Sequence, residues 1–229
     1  MRMVIKSPDG DFGAYVARPA TLPAPAVVVL QEVFGVNADI RETCDELASR
    51  GFIAIAPDLY WRQEVGVDLD VRSERDWQHG LGLYQAYDRN AGAKDVKETV
   101  KAAAARLDCN GRVAVLGYCL GGLMAFLTAV RYRVDAAVAY HGGDTEWYLD
   151  EADNLTAPLL MHLAGADEFI PEAAQNEIKA ALGGKPNVTI HTYPGQRHAF
   201  SRHNGAHYDA SAAALAWRRT SEFLNRELR

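Results

Sequence analysis

The chain has little cysteine, no long hydrophobic run and no excess of positive charge. Its three cysteines, Cys44, Cys109 and Cys119, are too few and too irregularly spaced for a disulfide framework, and they fit a reducing compartment. No apolar stretch approaches the roughly 18–20 residues of a membrane helix, and residues 1–6 lack the apolar core of a signal peptide. A net charge of −6 offers no basic footprint for nucleic acid or anionic lipid. We therefore expect a cytoplasmic protein without a nucleic-acid or membrane partner.

What is present is the composition of an ordinary globular protein, with 48% hydrophobic and 24% charged residues. Strand-like and helix-like segments alternate without repeats or linkers, which favours a single α/β domain over residues 1–229, with a mostly parallel sheet between helices. The predicted strands are 13–18, 26–30, 52–56, 113–116, 136–140, 159–163 and 188–193. Helices are predicted after a cap at Asn37 or Asp39, from 123 onwards, and over 91–107, 171–182 and 210–228. Segment 60–88 shows no clear strand, and we expect a helical or irregular excursion that could form one wall of a pocket.

The most informative motif is the hexapeptide Gly117-Tyr118-Cys119-Leu120-Gly121-Gly122, which lies between a predicted buried strand and a predicted buried helix. Strand, glycine-flanked turn and helix are the context of the nucleophile elbow, G-x-S-x-G. In that motif the reactive residue occupies a strained turn, and its neighbours two positions away lack side chains. Here Cys119 occupies the serine position. The motif predicts a nucleophilic thiol at a helix N-terminus, where the dipole favours the thiolate.

Partners for Cys119 follow other predicted strands. Ligands of open α/β sheets bind beyond the carboxyl ends of the strands. Asp167 follows strand 159–163 and His198 follows strand 188–193, so the chain order is nucleophile, acid, histidine, as this fold requires. We predict a triad in which His198 moves the thiol proton and Asp167 fixes the other imidazole nitrogen.

An oxyanion formed on the attacked carbonyl needs preorganised N–H donors. The backbone N–H of Leu120, directly after the nucleophile, is one candidate. The other is most simply the N–H of Val33, in the loop after strand 26–30. Glu32 precedes Val33 and would place a second carboxylate near the sulfur, where its charge would oppose a resting thiolate.

Five segments together resemble one known family: 31–35 (QEVFG), 56–60 (APDLY), 117–122 (GYCLGG), 165–167 (GAD) with Pro171, and 193–200 (YPGQRHAF). The chain resembles the dienelactone hydrolase (carboxymethylenebutenolidase-like) family nearly end to end. The resemblance implies an α/β-hydrolase fold with a Cys-His-Asp triad. It also implies that Glu32 gates activation, because the thiol stays protonated until substrate moves the carboxylate, which then takes the proton.

The resemblance also bears on the substrate. The family's best-known substrate is a small anionic lactone held by two arginines. Arg202 matches one of them, whereas the other position falls at Trp77, two residues after Arg75. This departure from the family pattern puts the anion clamp in doubt, since tryptophan adds apolar area and favours a larger, flatter or less charged substrate. Tyr140 and His141, after strand 136–140, are expected to face the same pocket, with no chemical role assigned to either.

Simpler interpretations stand beside these. Cys44 and Cys109 are interpreted as thiols that only pack in the structure. Cys119 would be interpreted in the same way if the glycine elbow and the matching histidine and aspartate were not present. Glu32 alone would be an ordinary loop carboxylate, and Arg202 an ordinary surface arginine. His203 and His207 stand at the i, i+4 spacing of zinc ligands, but Asn204-Gly205 between them is turn chemistry, so we expect no metal.

The main functional hypothesis is a monomeric carboxylic-ester or lactone hydrolase that forms a thioester on Cys119 and needs no metal or organic cofactor. Its partner would be a small-molecule ester or lactone. Two alternatives stay open. The same triad could transfer the acyl group to an acceptor other than water or act on another activated carbonyl. A non-catalytic binding protein on this fold is the other alternative, and nothing in the sequence favours it.

Overall fold

The computed structural model describes all 229 residues and contains one sheet of eight strands. The strands are β1 (Arg2–Ile5), β2 (Phe12–Ala17), β3 (Ala24–Leu30), β4 (Ile53–Pro57), β5 (Cys109–Tyr118), β6 (Ala136–Tyr140), β7 (Leu159–Ala164) and β8 (Val188–Tyr193). They lie in the order β1-β2-β4-β3-β5-β6-β7-β8. The β1–β2 and β2–β4 pairs are antiparallel and the other adjacent pairs are parallel. The carboxyl ends of β3 to β8 therefore meet at one side of the sheet, here called the carboxyl edge.

The central strands are apolar throughout because helices cover both faces of the sheet. All seven residues of β3 are buried. Ala26, Val28 and Leu30 belong to one hydrophobic core, whereas Val27 and Val29 belong to the other. Successive side chains of a strand point to opposite faces, so one continuous apolar run supplies two cores.

Six α-helices and one 3₁₀ segment flank the sheet. They are α1 (Ala38–Ser49), α2 (Glu74–Gln85), α3 (Arg89–Ala104), α4 (Leu120–Arg131), the 3₁₀ segment (Thr145–Asn154), α5 (Glu172–Leu182) and α6 (Ala210–Leu228). Helices α1 and α6 pack on one face, and α3, α4 and α5 pack on the other. The Asn37 side chain accepts a hydrogen bond from the Ile40 N–H and so caps α1. None of these helices has both the length and the hydropathy to cross a bilayer.

The predicted α/β alternation is confirmed, and the differences from prediction concern element ends and short or exposed elements. No pattern in the sequence predicts β1, because only Ile5 of its four residues is buried and so short a strand shows no clear alternation. The segment 60–88 contains α2, in which only Gly80 is buried. A helix that buries so little carries a weak apolar stripe, which is why the sequence leaves this segment undefined.

Candidate active site

Cys119 occupies a strained turn between β5 and α4. Its φ of 53° lies in the left-handed region, which costs a residue with a side chain about 1–3 kcal/mol unless its surroundings enforce it. Close packing around the turn enforces this conformation, and the flanking glycines make that packing possible. A Cβ at Gly117 would lie 2.0 Å from the carbonyl oxygen of Gly121, and a Cβ at Gly121 would lie 2.2 Å from that of Leu30. Strand and helix approach to a distance that only glycine permits, and Cys119 stands at the N-terminus of α4.

The strand register brings the other predicted residues to the same place. It aligns the last residues of β3, β5 and β6 with one another, and those of β7 with those of β8. The loops that follow these strands start side by side at the carboxyl edge. They carry Glu32, Cys119, Asp167 and His198.

His198 and Asp167 form a buried hydrogen-bonded pair. The Nδ1 atom of His198 lies 3.0 Å from each carboxylate oxygen of Asp167. Oδ1 of Asp167 also accepts backbone N–H bonds from Phe169 and Ile170. Burial would raise the pKa of Asp167, but the hydrogen bond and charge of His198 and the N–H of Phe169 together lower it. Asp167 is therefore an anchored anion that fixes the orientation of the His198 ring.

The other ring nitrogen of His198, Nε2, is buried and has no hydrogen-bond partner. Burial disfavours the protonated ring, yet the charge of a Cys119 thiolate and the bond to Asp167 raise the pKa of His198 to about 10. A thiolate at Cys119 would therefore have a protonated His198 as its neighbour.

Glu32 is paired with Arg202 rather than left unpaired beside the sulfur. Its two carboxylate oxygens accept from Arg202 Nε at 2.6 Å and Nη2 at 2.8 Å. Glu32 is only 5% exposed. Burial opposes its charge, but Arg202 and a contact with His141 outweigh burial and hold the pKa of Glu32 well below its usual range. In this arrangement the carboxylate is a weak base, and its charge is balanced by a guanidinium.

The two predicted oxyanion donors follow neighbouring strands, Val33 after β3 and Leu120 after β5. Leu120 is the first residue of α4, where backbone N–H groups have no acceptor within the helix. Val33 is buried in the loop after β3. A Cβ at Gly80 of α2 would lie 2.6 Å from the Val33 carbonyl oxygen, so α2 packs directly against this loop.

Three aromatic side chains, Phe34, Trp77 and Phe169, form a surface beside His198 that we call the aromatic wall. Ring centroids are 5.8 Å apart for Phe34 and Trp77, 6.1 Å for Trp77 and Phe169, and 4.9 Å for Phe169 and His198. Half of Phe169 is exposed. Trp77, from segment 60–88, is the central member of this row of rings, and its role as the wall of a substrate pocket stays a prediction.

Two predicted substrate contacts need correction. Arg75 is exposed and stands two positions before Trp77 on α2, and residues two apart on a helix point in different directions. Arg75 therefore does not share the face of Trp77. Tyr140 is 1% exposed, and its hydroxyl lies 2.7 Å from Thr220 Oγ1 on α6. That hydroxyl is committed within the core and is not offered to a substrate at Cys119.

His141 is a site residue to which sequence reasoning gives no role. It is 1% exposed and directly follows β6 with a φ of 35°. Its Nε2 lies 3.7 Å from Glu32 Oε1, and its ring centroid lies 4.6 Å from that of His198. The available signal was its position, because it follows a strand that ends beside Cys119.

The remaining histidines of the C-terminal loop have other contacts. His203 packs against Tyr208 with ring centroids 5.0 Å apart, and Nδ1 of His207 lies 3.0 Å from the carbonyl oxygen of His198. No group of three histidine, cysteine, aspartate or glutamate side chains is placed to hold a metal ion.

A cavity of about 480 Å³ lies between α1 and α6 and reaches the Glu32–Arg202 pair. Tyr118 and Tyr140 form part of its sheet side, and Trp217 part of its helix side. Cys119 and His198 do not line it. The ion pair is therefore the part of the candidate site that this cavity reaches.

A cysteine on a nucleophile elbow, with a histidine and an aspartate at the carboxyl edge of a mostly parallel sheet, defines the α/β-hydrolase class. The model of the dienelactone hydrolase family matches residues 12–228, and the chain belongs to that family. It is a hydrolase, as the resemblance of its motifs implied.

Full-length relatives agree with this assignment. The carboxymethylenebutenolidase of Pseudomonas putida is 42% identical over 221 residues, which cover 96% of this chain and 94% of that protein. Carboxymethylenebutenolidase 1 of Cupriavidus pinatubonensis is 37% identical and covers 94% of this chain and 92% of its own. A solved structure from Klebsiella pneumoniae superposes with a TM-score of 0.85 at 28% identity, over 99% of this chain and 98% of that one. The α/β-hydrolase fold expected from the sequence is confirmed.

Proposed function

We propose that this hydrolase cleaves a small carboxylic ester or lactone by covalent catalysis at Cys119. The observation that carries the proposal is the Asp167–His198 pair. Nε2 of its imidazole has no hydrogen-bond partner, and a thiolate at Cys119 would raise the pKa of this ring. A thiol of pKa near 8.5 is only a few per cent thiolate at neutral pH, so the reaction needs such a partner.

Glu32 supplies the activation step. While Arg202 holds it by two hydrogen bonds, Glu32 is too weak a base to remove the thiol proton. Substrate entry would disturb this pair and allow the carboxylate to turn to Cys119 and accept that proton. The resulting thiolate is stabilised by protonated His198 and by the N-terminus of α4.

Acylation of Cys119 and hydrolysis of the thioester then follow. The thiolate attacks the carbonyl carbon, and the oxyanion is held by the N–H groups of Leu120 and Val33. The C–O bond to the leaving group breaks, His198 gives its proton to that oxygen, and a thioester remains on Cys119. Neutral His198 takes a proton from water, whose oxygen attacks the thioester and releases the acid and the thiolate. Glu32 then returns the proton it had accepted to the thiolate, which restores the thiol, the Glu32 carboxylate and protonated His198.

The substrate class follows from relatives and from the aromatic wall. Relatives named carboxymethylenebutenolidase make a butenolide lactone the first compound to assay. Trp77 and Phe169 line the approach to His198 with aromatic rather than charged side chains. We propose that esters or lactones with an uncharged, flat acyl group are turned over better than anionic ones.

The test is turnover of small aryl esters and dienelactones by the wild type, Cys119→Ala and Cys119→Ser. Loss of turnover in Cys119→Ala, together with an acyl adduct on Cys119 in mass spectra of the quenched wild type, supports the proposal. Cys44→Ala is a matched control, because Cys44 lies on the buried face of α1, within the hydrophobic core. Undiminished turnover by Cys119→Ala would refute the covalent mechanism, and product analysis with added alcohols separates hydrolysis from acyl transfer.

We further propose that the chain acts as a cytoplasmic monomer. All the candidate catalytic groups come from one chain, and its three cysteines are unpaired, as in a reducing compartment. Size-exclusion chromatography with light scattering should give a mass near 25.1 kDa, and a stable dimer would contradict the proposal.

A further inference from the structure

His141 combines three properties that a merely structural residue rarely combines. Its side chain is almost fully buried, yet neither ring nitrogen has a hydrogen-bond partner. Its φ of 35° is left-handed, although it is not a glycine. Buried polar groups without partners and strained backbone are both costly, and in folded proteins they concentrate at functional sites.

Left-handed backbone is indeed concentrated at this site. Four non-glycine residues have a positive φ, and three of them are Cys119, His141 and Ala199, the neighbour of His198. The strain at Cys119 presents the nucleophile. The strain at His141 places its ring between Glu32, 3.7 Å away, and His198, 4.6 Å away between ring centroids.

The distance to Glu32 is the informative one. At 3.7 Å, His141 Nε2 is just outside hydrogen-bond range of Glu32 Oε1, while that oxygen accepts from Arg202 at 2.8 Å. A shift of about 1 Å would convert the contact into a hydrogen bond. An unused donor therefore stands beside the carboxylate that the proposed activation step must release from Arg202.

We propose that His141 is a positioning residue that receives Glu32 when the carboxylate leaves Arg202 and holds it within reach of the Cys119 thiol. The inference rests on the gating role proposed for Glu32 and adds the partner of its second position. In the first position Glu32 is bound by a guanidinium through two hydrogen bonds. In the second it accepts one hydrogen bond from His141 Nε2–H and regains basicity.

The charge state of His141 suits this role. The charged or titratable groups that face it are Glu32, His198 and Asp167. Burial and the positive charge of His198 outweigh the nearby Glu32 carboxylate, and they lower the pKa of His141 to about 4. A neutral imidazole can donate to a carboxylate without the full charge attraction that makes Arg202 hold it tightly.

The test compares two substitutions of similar size. His141→Gln keeps an N–H donor near the position of Nε2, whereas His141→Phe keeps the ring and removes the donor. A single hydrogen bond to a charged group lost at this step predicts about a ten- to hundred-fold lower kcat for His141→Phe, with KM within about twofold. His141→Gln should stay within about threefold of the wild type.

A double-mutant cycle separates this role from packing. If His141 acts through Glu32, His141→Phe should cost less than about twofold further in the Glu32→Gln background. Equal losses in both backgrounds, or equal activities of His141→Gln and His141→Phe, would overturn the inference. Should His141→Phe fail to fold, His141→Asn replaces it, because asparagine tolerates left-handed backbone and its shorter amide stops short of Glu32.

The outcome for His141 is distinguishable from the outcome for the proposed function. Activity that survives Cys119→Ala would refute the covalent mechanism. If Cys119→Ala is inactive and His141→Phe is as active as the wild type, only the second position of Glu32 is refuted.

Discussion

The site contains two buried acid–base pairs that differ in what they leave unused. In the Glu32–Arg202 pair both carboxylate oxygens and two guanidinium donors are engaged with each other. In the Asp167–His198 pair the imidazole uses one nitrogen and leaves Nε2 free. We call the Glu32–Arg202 pair closed, because its carboxylate must leave the guanidinium before it can accept a proton. We call the Asp167–His198 pair open, because Nε2 can exchange a proton without breaking a hydrogen bond. The proposed reaction at Cys119 uses both pairs, because Glu32–Arg202 controls when the thiol loses its proton and Asp167–His198 transfers protons to the leaving group and from water.

Removing the open pair should have the largest effect on activity. His198→Asn removes the group that exchanges protons with the leaving group and with water. We expect kcat/KM on aryl esters to fall about 10²–10⁴-fold, the usual contribution of a general acid–base. Steady-state kinetics measure this, and an unfolding midpoint close to that of the wild type would show that the loss is chemical. A decrease below tenfold would contradict the role given to His198.

Removing one partner of the closed pair should instead affect stability. Arg202→Met leaves Glu32 buried without a counter-charge and should lower the free energy of unfolding by about 3–5 kcal/mol. Urea denaturation at pH 7 provides the measurement. The double variant Glu32→Gln/Arg202→Met is the matched control and should recover most of the loss, because no uncompensated charge remains. A single variant as stable as the wild type would show that the pair is not closed in solution.

The two pairs should also respond to opposite ends of the pH scale. The pKa of Glu32 is lower in the folded state than its ordinary 4.5, so its stabilisation is complete above about pH 4.5 and is lost as pH falls below that value. The pKa of His198 is raised from 6.5 to about 10, so its stabilisation is complete below pH 6.5 and is lost as pH rises towards 10.

Unfolding free energies at pH 3, 7 and 10 check this opposition. Glu32→Gln should flatten the change between pH 7 and pH 3, whereas Asp167→Asn should flatten the change between pH 7 and pH 10, since it removes the carboxylate whose charge and hydrogen bond raise the pKa of His198. Glu42→Gln, at an exposed position of α1, is the control and should alter neither slope. Parallel slopes for all variants would contradict the assignment of these charges.

The smallest effect concerns substrate preference. Trp77→Arg replaces the centre of the aromatic wall with a cation that, unlike Arg202, has no carboxylate of its own. We expect the ratio of kcat/KM for an anionic over a matched neutral ester to rise by about tenfold, within the range of one charge-assisted hydrogen bond. Trp77→Phe keeps the aromatic surface and should leave the ratio unchanged. An unaltered ratio in Trp77→Arg would mean that the wall does not contact the acyl group.

Features of the fold and site that depend on neighbouring residues in the sequence are predicted well, whereas features that depend on contacts between distant segments are not. The elbow at Cys119 is a local pattern of glycines between a strand and a helix, and it is predicted correctly. The parallel sheet follows from buried apolar runs, whereas β1 and α2 bury too little to show a period. Arg75 is assigned to the site from nearness in sequence, and helix geometry reverses that assignment.

Side-chain contacts between distant segments cannot be predicted from any local sequence pattern. Glu32 and Arg202 are 170 residues apart, so nothing in either segment shows that they neutralise each other. His141 belongs to no motif. Its contacts with Glu32 and His198 depend on the register of the sheet from β3 to β8, which brings the carboxyl ends of these strands together. The candidate groups at the carboxyl edge could be identified from the sequence, whereas the contacts among their side chains could not.

The contact between Gly80 and the Val33 carbonyl joins two parts of the molecule with different tasks. On one side is α2, which carries Trp77 and little of the hydrophobic core. On the other is the loop whose N–H is proposed to hold the oxyanion. Related enzymes could exchange the exposed face of α2 for new substrates with little cost to the fold. A single methyl group at position 80 would push the two parts away from each other, so a change of specificity can proceed freely only while that position stays a glycine.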